Sequence, residues 1–259
     1  MFLRKLFGTL TLSTLIATPA FSADGSPRPE DLVNAKTVSV LPVLTSGPRA
    51  AAYQRLEATL AAASGRGLVD PTAMVSMDES AGFGFAGAST DSDVMILRLG
   101  FLVGAVGSTD AERLDKIIKT YDKARESLAP LMPEVVAAAD KVIAAAREGR
   151  VDTSSLATAM RLAEEGIAKG PARAHGYFAA GLWIGMSGEI AATPYADTGF
   201  TSMAFPLAVM LEQDAEFGGS DLVLAGELKK IANMLVAGTV DVKAYEAAIM
   251  AAMSVKADR

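Results

Sequence analysis

The tetrapeptide Gly149-Arg150-Val151-Asp152 recurs 89 positions later as Gly238-Thr239-Val240-Asp241, and this repeated motif decides the predicted fold. Glycine just past the end of a helix can adopt the left-handed conformation without a Cβ clash. The valine can then contact the last helical turn, and the aspartate can cap the next helix. Each copy therefore predicts a tight corner between two helices, with a structural and not a catalytic role for the aspartate.

Further matches extend the resemblance between the two halves of the chain. At the offset of 89, Lys141 matches Lys230 and Leu156 matches Tyr245, while the apolar positions Leu114, Ile118, Tyr121 and Leu128 correspond to Met203, Leu207, Met210 and Phe217. At an offset of 77, the segment 101–104 matches 178–181, which requires an insertion near 191–202 in the second half. We therefore predict an internal duplication, with helical repeat 1 over 92–171 and helical repeat 2 over 172–259.

The predicted fold class is mainly all-α, a helical bundle of two four-helix pseudo-repeats. Abundant alanine, few aromatic residues and moderate charge favour closely packed helices. Residues 23–91 form a separate N-terminal segment, with a helix over 48–63 between possible short strands at 38–43 and 67–71, followed by a Gly-rich loop over 78–92. A purely helical lead-in is the alternative for this segment.

Two pairs of glycines predict where the repeats meet. Gly100 and Gly104 are four residues apart, as are Gly181 and Gly185, so each pair lies on one face of its helix. A face without side chains lets another backbone approach closely. We therefore expect these two helices to pack on each other at the pseudo-symmetry axis.

The N-terminal 22 residues have the pattern of a secretory signal peptide. Arg4 and Lys5 precede an apolar stretch over 6–17, Pro19 interrupts it, and small residues at 20 and 22 indicate cleavage before Ala23. We therefore expect a periplasmic protein. Beyond this segment, no apolar run reaches the roughly 18 to 20 residues that a membrane span requires. The mature chain is thus predicted to lack a transmembrane segment.

Charge and cysteine content exclude several classes of partner and site. The formal net charge is −6, and it becomes −8 without Arg4 and Lys5, so a nucleic-acid partner is not expected. The chain has no cysteine, which excludes disulfides and a thioether-linked lipid anchor. With one histidine and no cysteine, we predict no metal site, no cofactor and no catalytic residue.

Arg98 and His175 fall at equivalent positions of the two repeats at the offset of 77, and each lies within an apolar segment. For Arg98, a structural ion pair or a partly exposed position is one interpretation, and an anion-holding group in a pocket is the other. For His175, the alternatives are a hydrogen-bonded structural role, a pH-sensitive contact or a general base.

The helix predicted over 172–190 carries the aromatic residues with polar tips. Tyr177, His175 and Trp183 point in different directions on a helix, so we expect one of them to face a cavity or a partner. The insertion that follows, 191–206, is predicted to be a loop that acts as a lid or contact surface.

These patterns lead to two hypotheses of function. The first is a non-enzymatic protein that binds an apolar or amphiphilic small molecule between its helices. Its predicted binding residues are Arg98, Phe101, His175, Tyr177, Phe178, Trp183 and Met186. The alternative is a structural or adaptor protein of the cell envelope that docks a protein partner. The sequence leaves the oligomeric state open.

Overall fold

The computed structural model describes residues 48–63, 92–109, 111–168, 173–191, 198–213, 219–238 and 240–255. Within these ranges the chain forms nine α-helices, one 3-10 turn at Val106–Ser108 and no strand, which confirms the all-α prediction. The helices are α1 (Pro48–Ala63), α2 (Ser92–Gly104), α3 (Ala111–Leu128), α4 (Pro133–Arg147), α5 (Thr153–Ala168), α6 (Arg173–Ala191), α7 (Thr198–Gln213), α8 (Gly219–Val236) and α9 (Val242–Met253).

Several predictions fall on other parts of the chain. The signal peptide at 1–22, the short strands at 38–43 and 67–71, and the Gly-rich loop up to residue 91 lie outside the described residues. The described helix α1 matches the helix predicted over 48–63. The duplication of the two repeats as an evolutionary event stays a prediction.

Helix α6 is the central element of the bundle. Every residue from Gly176 to Ile190 is buried, so this helix is covered on all sides. Helices α1, α2, α5, α7 and α8 all pack against it. Its polar side chains must therefore find partners inside the protein, because buried polar groups without hydrogen bonds are costly.

The predicted contact between the glycine-bearing helices is confirmed. A Cβ at Gly100 would overlap the carbonyl oxygen of Phe178, and a Cβ at Gly181 would overlap the carbonyl oxygen of Leu97. Leu97 contacts Gly181 while Phe101, four residues later, contacts Gly185, so the two helices run parallel. We call this contact, formed by Gly100, Gly104, Gly181 and Gly185, the glycine seam, and along it the backbones of the two helices are in direct contact.

The contact between α2 and α6 has its own register. The reciprocal contacts pair α2 and α6 residues that are 81 positions apart, since Gly100 and Gly104 lie beside Gly181 and Gly185. This contact register differs from the offset of 77 at which the two repeats were aligned in sequence. The equivalence of Arg98 and His175 in the two repeats stays a prediction.

Both predicted glycine corners are present. Gly149 has a φ of 71° and Gly238 a φ of 70°, in the left-handed region that favours glycine. The Gly149 N–H donates to the carbonyl of Ala146, which closes the end of α4. The valines of both motifs are partly buried against the core, as the motif predicts.

The aspartates of the two corners cap the helices that follow. Oδ1 of Asp152 accepts from the Ser155 N–H at 2.9 Å at the start of α5. Oδ1 of Asp241 accepts from the Lys243 N–H at 3.0 Å at the start of α9. These bonds satisfy backbone donors that the first turn of a helix leaves free.

The loop predicted over 191–206 is wrong for most of its length. Helix α7 begins at Thr198 and contains Pro206. Proline removes the hydrogen bond to the carbonyl four residues earlier, which belongs to Ser202. Ser202 is exposed, so its carbonyl can bind water and the helix continues. Residues 192–197 lie outside the described part.

Candidate functional site

Five of the seven predicted binding residues lie in the hydrophobic core. Their exposed fractions range from 0% to 2%, and they are Phe101, Tyr177, Phe178, Trp183 and Met186. Arg98 and His175 are partly buried. Because the backbones of α2 and α6 touch at the glycine seam, there is no space between these two helices from Gly100 to Gly104. Binding of a ligand by these seven residues stays a prediction.

Trp183 makes two contacts with Phe200 of helix α7, one through its polar tip and one through its ring. Its Nε1–H donates to the carbonyl of Phe200 at 3.0 Å. Its ring stacks on the Phe200 ring, with centroids 4.9 Å apart and planes 9° apart. The apolar body and the polar tip of this tryptophan are therefore both satisfied within the protein.

Arg98 connects helix α2 to the end of helix α9. Its Nε–H donates to the carbonyl of Met253, the last residue of α9, at 3.1 Å. A cation at a helix C-terminus is favourable because the free carbonyls carry partial negative charge. Burial lowers the pKa of the guanidinium from its ordinary value. This contact corresponds to a structural role for Arg98.

His175 lies at the contact between α5 and α6. A Cβ at Gly166 of α5 would overlap the imidazole ring, so the glycine makes room for the histidine. The ring is thus in close contact with a neighbouring backbone and partly shielded from solvent.

A cluster of polar groups joins the start of α6 to the start of α8. The Tyr177 hydroxyl donates a short hydrogen bond to Oδ1 of Asp221, and Arg173 Nη2 donates to the same hydroxyl at 3.1 Å. The Arg173 guanidinium also lies 3.4 Å from Oδ1 of Asp221 and 5.0 Å from the centroid of the Tyr177 ring. Asp221 is only 1% exposed, so this pairing compensates the burial of its carboxylate.

Sequence analysis named Tyr177 but missed Asp221 as its partner. Arg173 and Tyr177 are four residues apart, a spacing that places them on one helix face. That spacing was the available local signal for part of the cluster. Asp221 lies 44 residues further on, and no sequence pattern connects it to Tyr177.

A second buried polar group lies at the C-terminal end of α6. Ser187 Oγ and the Tyr245 hydroxyl of α9 are hydrogen-bonded at 2.6 Å. Glu189 is fully buried, and among the described residues neither of its carboxyl oxygens has a hydrogen-bond partner of good geometry. Burial raises the pKa of Glu189 to about 8, and the nearby Gly107 N–H opposes this shift only in part. Sequence analysis did not identify Glu189 as a candidate functional residue.

The described surface carries most of its exposed large apolar residues on three consecutive helices. We call this set the α7–α9 apolar surface, and it consists of Phe205, Leu222, Val223, Val236, Val242 and Met250. Leu222, at 56%, and Val236, at 53%, are among the most exposed. Leu131, between α3 and α4, is the remaining exposed large apolar residue of the described part.

A groove of about 570 Å³ lies between α8 and the start of α9. Small residues form part of its lining, including Gly226 and Ala244, and a Cβ at Gly226 would meet no atom within 4 Å. The full lining is Gly226, Lys229, Lys230, Asn233, Met234, Ala237, Asp241 and Ala244. The groove therefore combines small residues with the polar side chains of Lys229, Lys230, Asn233 and Asp241.

Helix α4, which the offset of 89 aligns with α8 in sequence, exposes charged residues at two positions that match the α7–α9 apolar surface. At the offset of 89, Val223 corresponds to Glu134 and Val236 corresponds to Arg147. Glu134 and Arg147 are both exposed on α4, and Arg147 pairs with Asp122 at 2.5 Å. Two helices with the same corner thus differ in the chemistry of their outer face, which points to a specific role for the apolar one.

No known protein family, curated protein or solved structure is detectably similar to this chain. None of the described helices combines the length and hydropathy that a transmembrane span requires. Among the described residues, no three or more acidic or histidine side chains are grouped as metal ligands would be.

Proposed function

We propose that this protein is an exported, non-enzymatic adaptor that docks a protein partner on the α7–α9 apolar surface. The observation that carries this proposal is the exposure of Leu222, Val223 and Val236 on α8. At the offset of 89, Val223 and Val236 match the exposed charged residues Glu134 and Arg147 of α4. Exposed apolar side chains lower the solubility of a monomer. Where several of them form a patch, the patch marks an interaction site. The sequence pattern of residues 1–22 supports a periplasmic location.

The interior supports a structural use of its polar side chains. Tyr177 bonds to Asp221, Trp183 bonds to the Phe200 carbonyl, and Arg98 bonds to the end of α9. Each of these contacts holds one helix to another. This favours the surface over the interior as the place where the protein meets its partner.

The test transfers the charges of α4 to α8 in the double variant Val223→Glu, Val236→Arg. We expect a protein recovered with the wild-type chain, by photo-crosslinking in a cell-envelope extract, to be lost with this variant. The matched control is Leu131→Glu, which places a charge on an exposed apolar residue outside the α7–α9 apolar surface and should leave recovery unchanged. Thermal unfolding of all three proteins shows whether each is folded. Equal recovery with the double variant contradicts the proposal.

A small apolar or amphiphilic ligand is the second candidate function, and the groove between α8 and α9 favours it. Its volume of about 570 Å³ falls within the roughly 300–1,000 Å³ of typical small-molecule sites. Native mass spectrometry of gently purified protein tests this candidate. A bound species that is lost with Gly226→Leu, which fills the groove, would support it, and a ligand-free spectrum would contradict it.

A further inference from the structure

The Glu189 carboxyl group lies where a charge is especially unfavourable. It belongs to the last turn of α6, where free backbone carbonyls create partial negative charge. Its side chain is 0% exposed, and among the described residues no atom donates a well-formed hydrogen bond to either oxygen. An ionised carboxylate in such a place would be far more costly than the neutral acid.

The carboxyl group is pressed against the short connection between α2 and α3. A Cβ at Gly107 would overlap Oε1 of Glu189, so the carboxyl lies directly against the backbone of this connection. Gly107 is the middle residue of the 3-10 turn Val106–Ser108. A single turn has few internal hydrogen bonds, and such segments open more readily than long helices.

We propose that Glu189 is a pH-sensitive latch, which holds the Val106–Ser108 turn against the end of α6 while the carboxyl is protonated and releases it on ionisation. The charged carboxylate can reach water only if a covering segment moves. The turn is the segment in direct contact with it, and it packs against α6 and α4. The latch is independent of the docking proposal.

In the part of the chain that the structure describes, the groups on the neighbouring elements provide no counter-ion for the Glu189 carboxyl. The Tyr245 hydroxyl of α9 is bonded to Ser187, and burial raises the pKa of this tyrosine above its ordinary range. Arg98 of α2 is bonded to the Met253 carbonyl. The buried residues of α4 are all valine, isoleucine or alanine. The Gly107 N–H is therefore the group that acts on the carboxyl.

Among the described residues, several other titratable groups around α6 lie near its N-terminal end, and Tyr53 of α1 donates to Glu164 of α5. Asp221 of α8 contacts Tyr177, which is 12 residues before Glu189 and so about 18 Å away along the helix. Glu164 of α5 lies two residues from Gly166, which contacts His175. On α7, Glu212 is paired with Lys229 of α8 at 2.6 Å. These charges belong to other contacts.

Hydrogen exchange of the full chain between pH 5 and pH 9 tests the latch. The folded carboxyl has a pKa of about 8, while a released one titrates near its ordinary value, so opening releases a proton between these limits. We expect the protection factors of the amides at 105–109, corrected for intrinsic exchange, to fall about tenfold per pH unit up to pH 8 and then to level off. Amides in the middle of α6 should show a smaller change.

Two variants test whether Glu189 causes the pH dependence of amide protection at 105–109. Glu189→Gln keeps the shape of the neutral acid, so protection at 105–109 should become independent of pH. Glu165→Gln makes the same chemical change on the surface, where Glu165 pairs with Arg161, and should keep the wild-type slope. A slope that persists in Glu189→Gln overturns the proposal. Should that variant not fold, the wild-type profile decides: a slope confined to 105–109 supports the latch, and a flat or chain-wide profile overturns it.

Discussion

Gly104 of α2 and Gly185 of α6 lie side by side, and the two helix backbones touch there. A Cβ on Gly104 would overlap the Leu182 carbonyl oxygen and lie 3.1 Å from the Gly185 Cα. Backbone atoms cannot move aside as a flexible side chain can, so the whole helix pair would have to separate. This seam is formed in part by α6, in which every residue from Gly176 to Ile190 is buried. We therefore expect it to be the contact of the described fold that is most sensitive to substitution.

We expect Gly104→Leu to lower the free energy of unfolding by about 3 kcal/mol or more. The matched control is Gly226→Ala on α8, also a helical glycine, where the added Cβ meets no atom within 4 Å. That control should be neutral or stabilising by up to about 1 kcal/mol, because alanine has the higher helix propensity. Chemical denaturation measures both, and an unchanged midpoint for Gly104→Leu would contradict the seam.

The caps of the two corners predict a second pair of stability changes. Asp152→Ala and Asp241→Ala should each lower the free energy of unfolding by about 1 kcal/mol, since each removes a hydrogen-bond acceptor for a backbone N–H in the first turn of a helix. Asp152 also accepts from the Ser155 hydroxyl at 2.7 Å, so its removal should have the larger effect. Asp115→Ala is the control, because Asp115 only pairs with Lys119 on the exposed face of α3 and should change stability by less than about 0.5 kcal/mol. Equal values for all three variants would argue against the caps.

The hydrogen bond between Tyr177 and Asp221 predicts that two similar Tyr→Phe substitutions lower the free energy of unfolding by different amounts. Tyr177→Phe removes a hydrogen-bond donor from the buried Asp221 carboxylate and should lower the free energy of unfolding by roughly 2 kcal/mol. Tyr121→Phe removes a hydroxyl whose acceptor, Asp140, is also bound by Arg125 and is partly exposed. That loss should be about 1 kcal/mol or less. Thermal unfolding of the two variants in parallel measures the difference, and a reversed order would contradict the role given to Asp221.

How far the sequence predicts this structure depends on the range of each signal. The corners at Gly149 and Gly238 were predictable because turn geometry and capping are encoded within a few residues. The relative register of α2 and α6 was not, since a contact between helices about 80 residues apart in the chain has no local sequence signal. Helix α7 was misjudged at Pro206, which was taken for the end of a loop, although the carbonyl that loses its hydrogen bond belongs to the exposed Ser202.

The candidate site was harder to predict than the helices. Aromatic residues such as Trp183 and Phe178 carry the same signal whether they line a pocket or fill a core, and only their neighbours decide. The partners of Tyr177 and Glu189 come from distant segments. Exposure of Leu222 and Val236 could not be read from α8 itself, because that helix is apolar on most of its faces.

Trp183 gives a spectroscopic test of the closed interior. It is the single tryptophan, it is 0% exposed, and it stacks on Phe200. We expect blue-shifted emission and little quenching by acrylamide until the protein unfolds. Phe200→Ala removes the stacking partner and should increase the quenching constant several-fold. Strong quenching of the wild-type protein would show that solvent or a ligand can reach the interior beside α6.

The pH dependence of global stability follows from Glu189. Its folded-state pKa of about 8 lies above the ordinary value of 4.5, so the folded state binds the extra proton between these two pH values. The contribution of this group therefore falls as pH rises from about 5 to 8, by at most about 1.4 kcal/mol per pH unit, and changes little above that range. Glu189→Gln should be more stable than the wild type at pH 8, with the difference shrinking toward pH 5. Denaturant unfolding of both proteins at several pH values measures this difference, and a constant difference would mean that Glu189 is ionised in the folded protein.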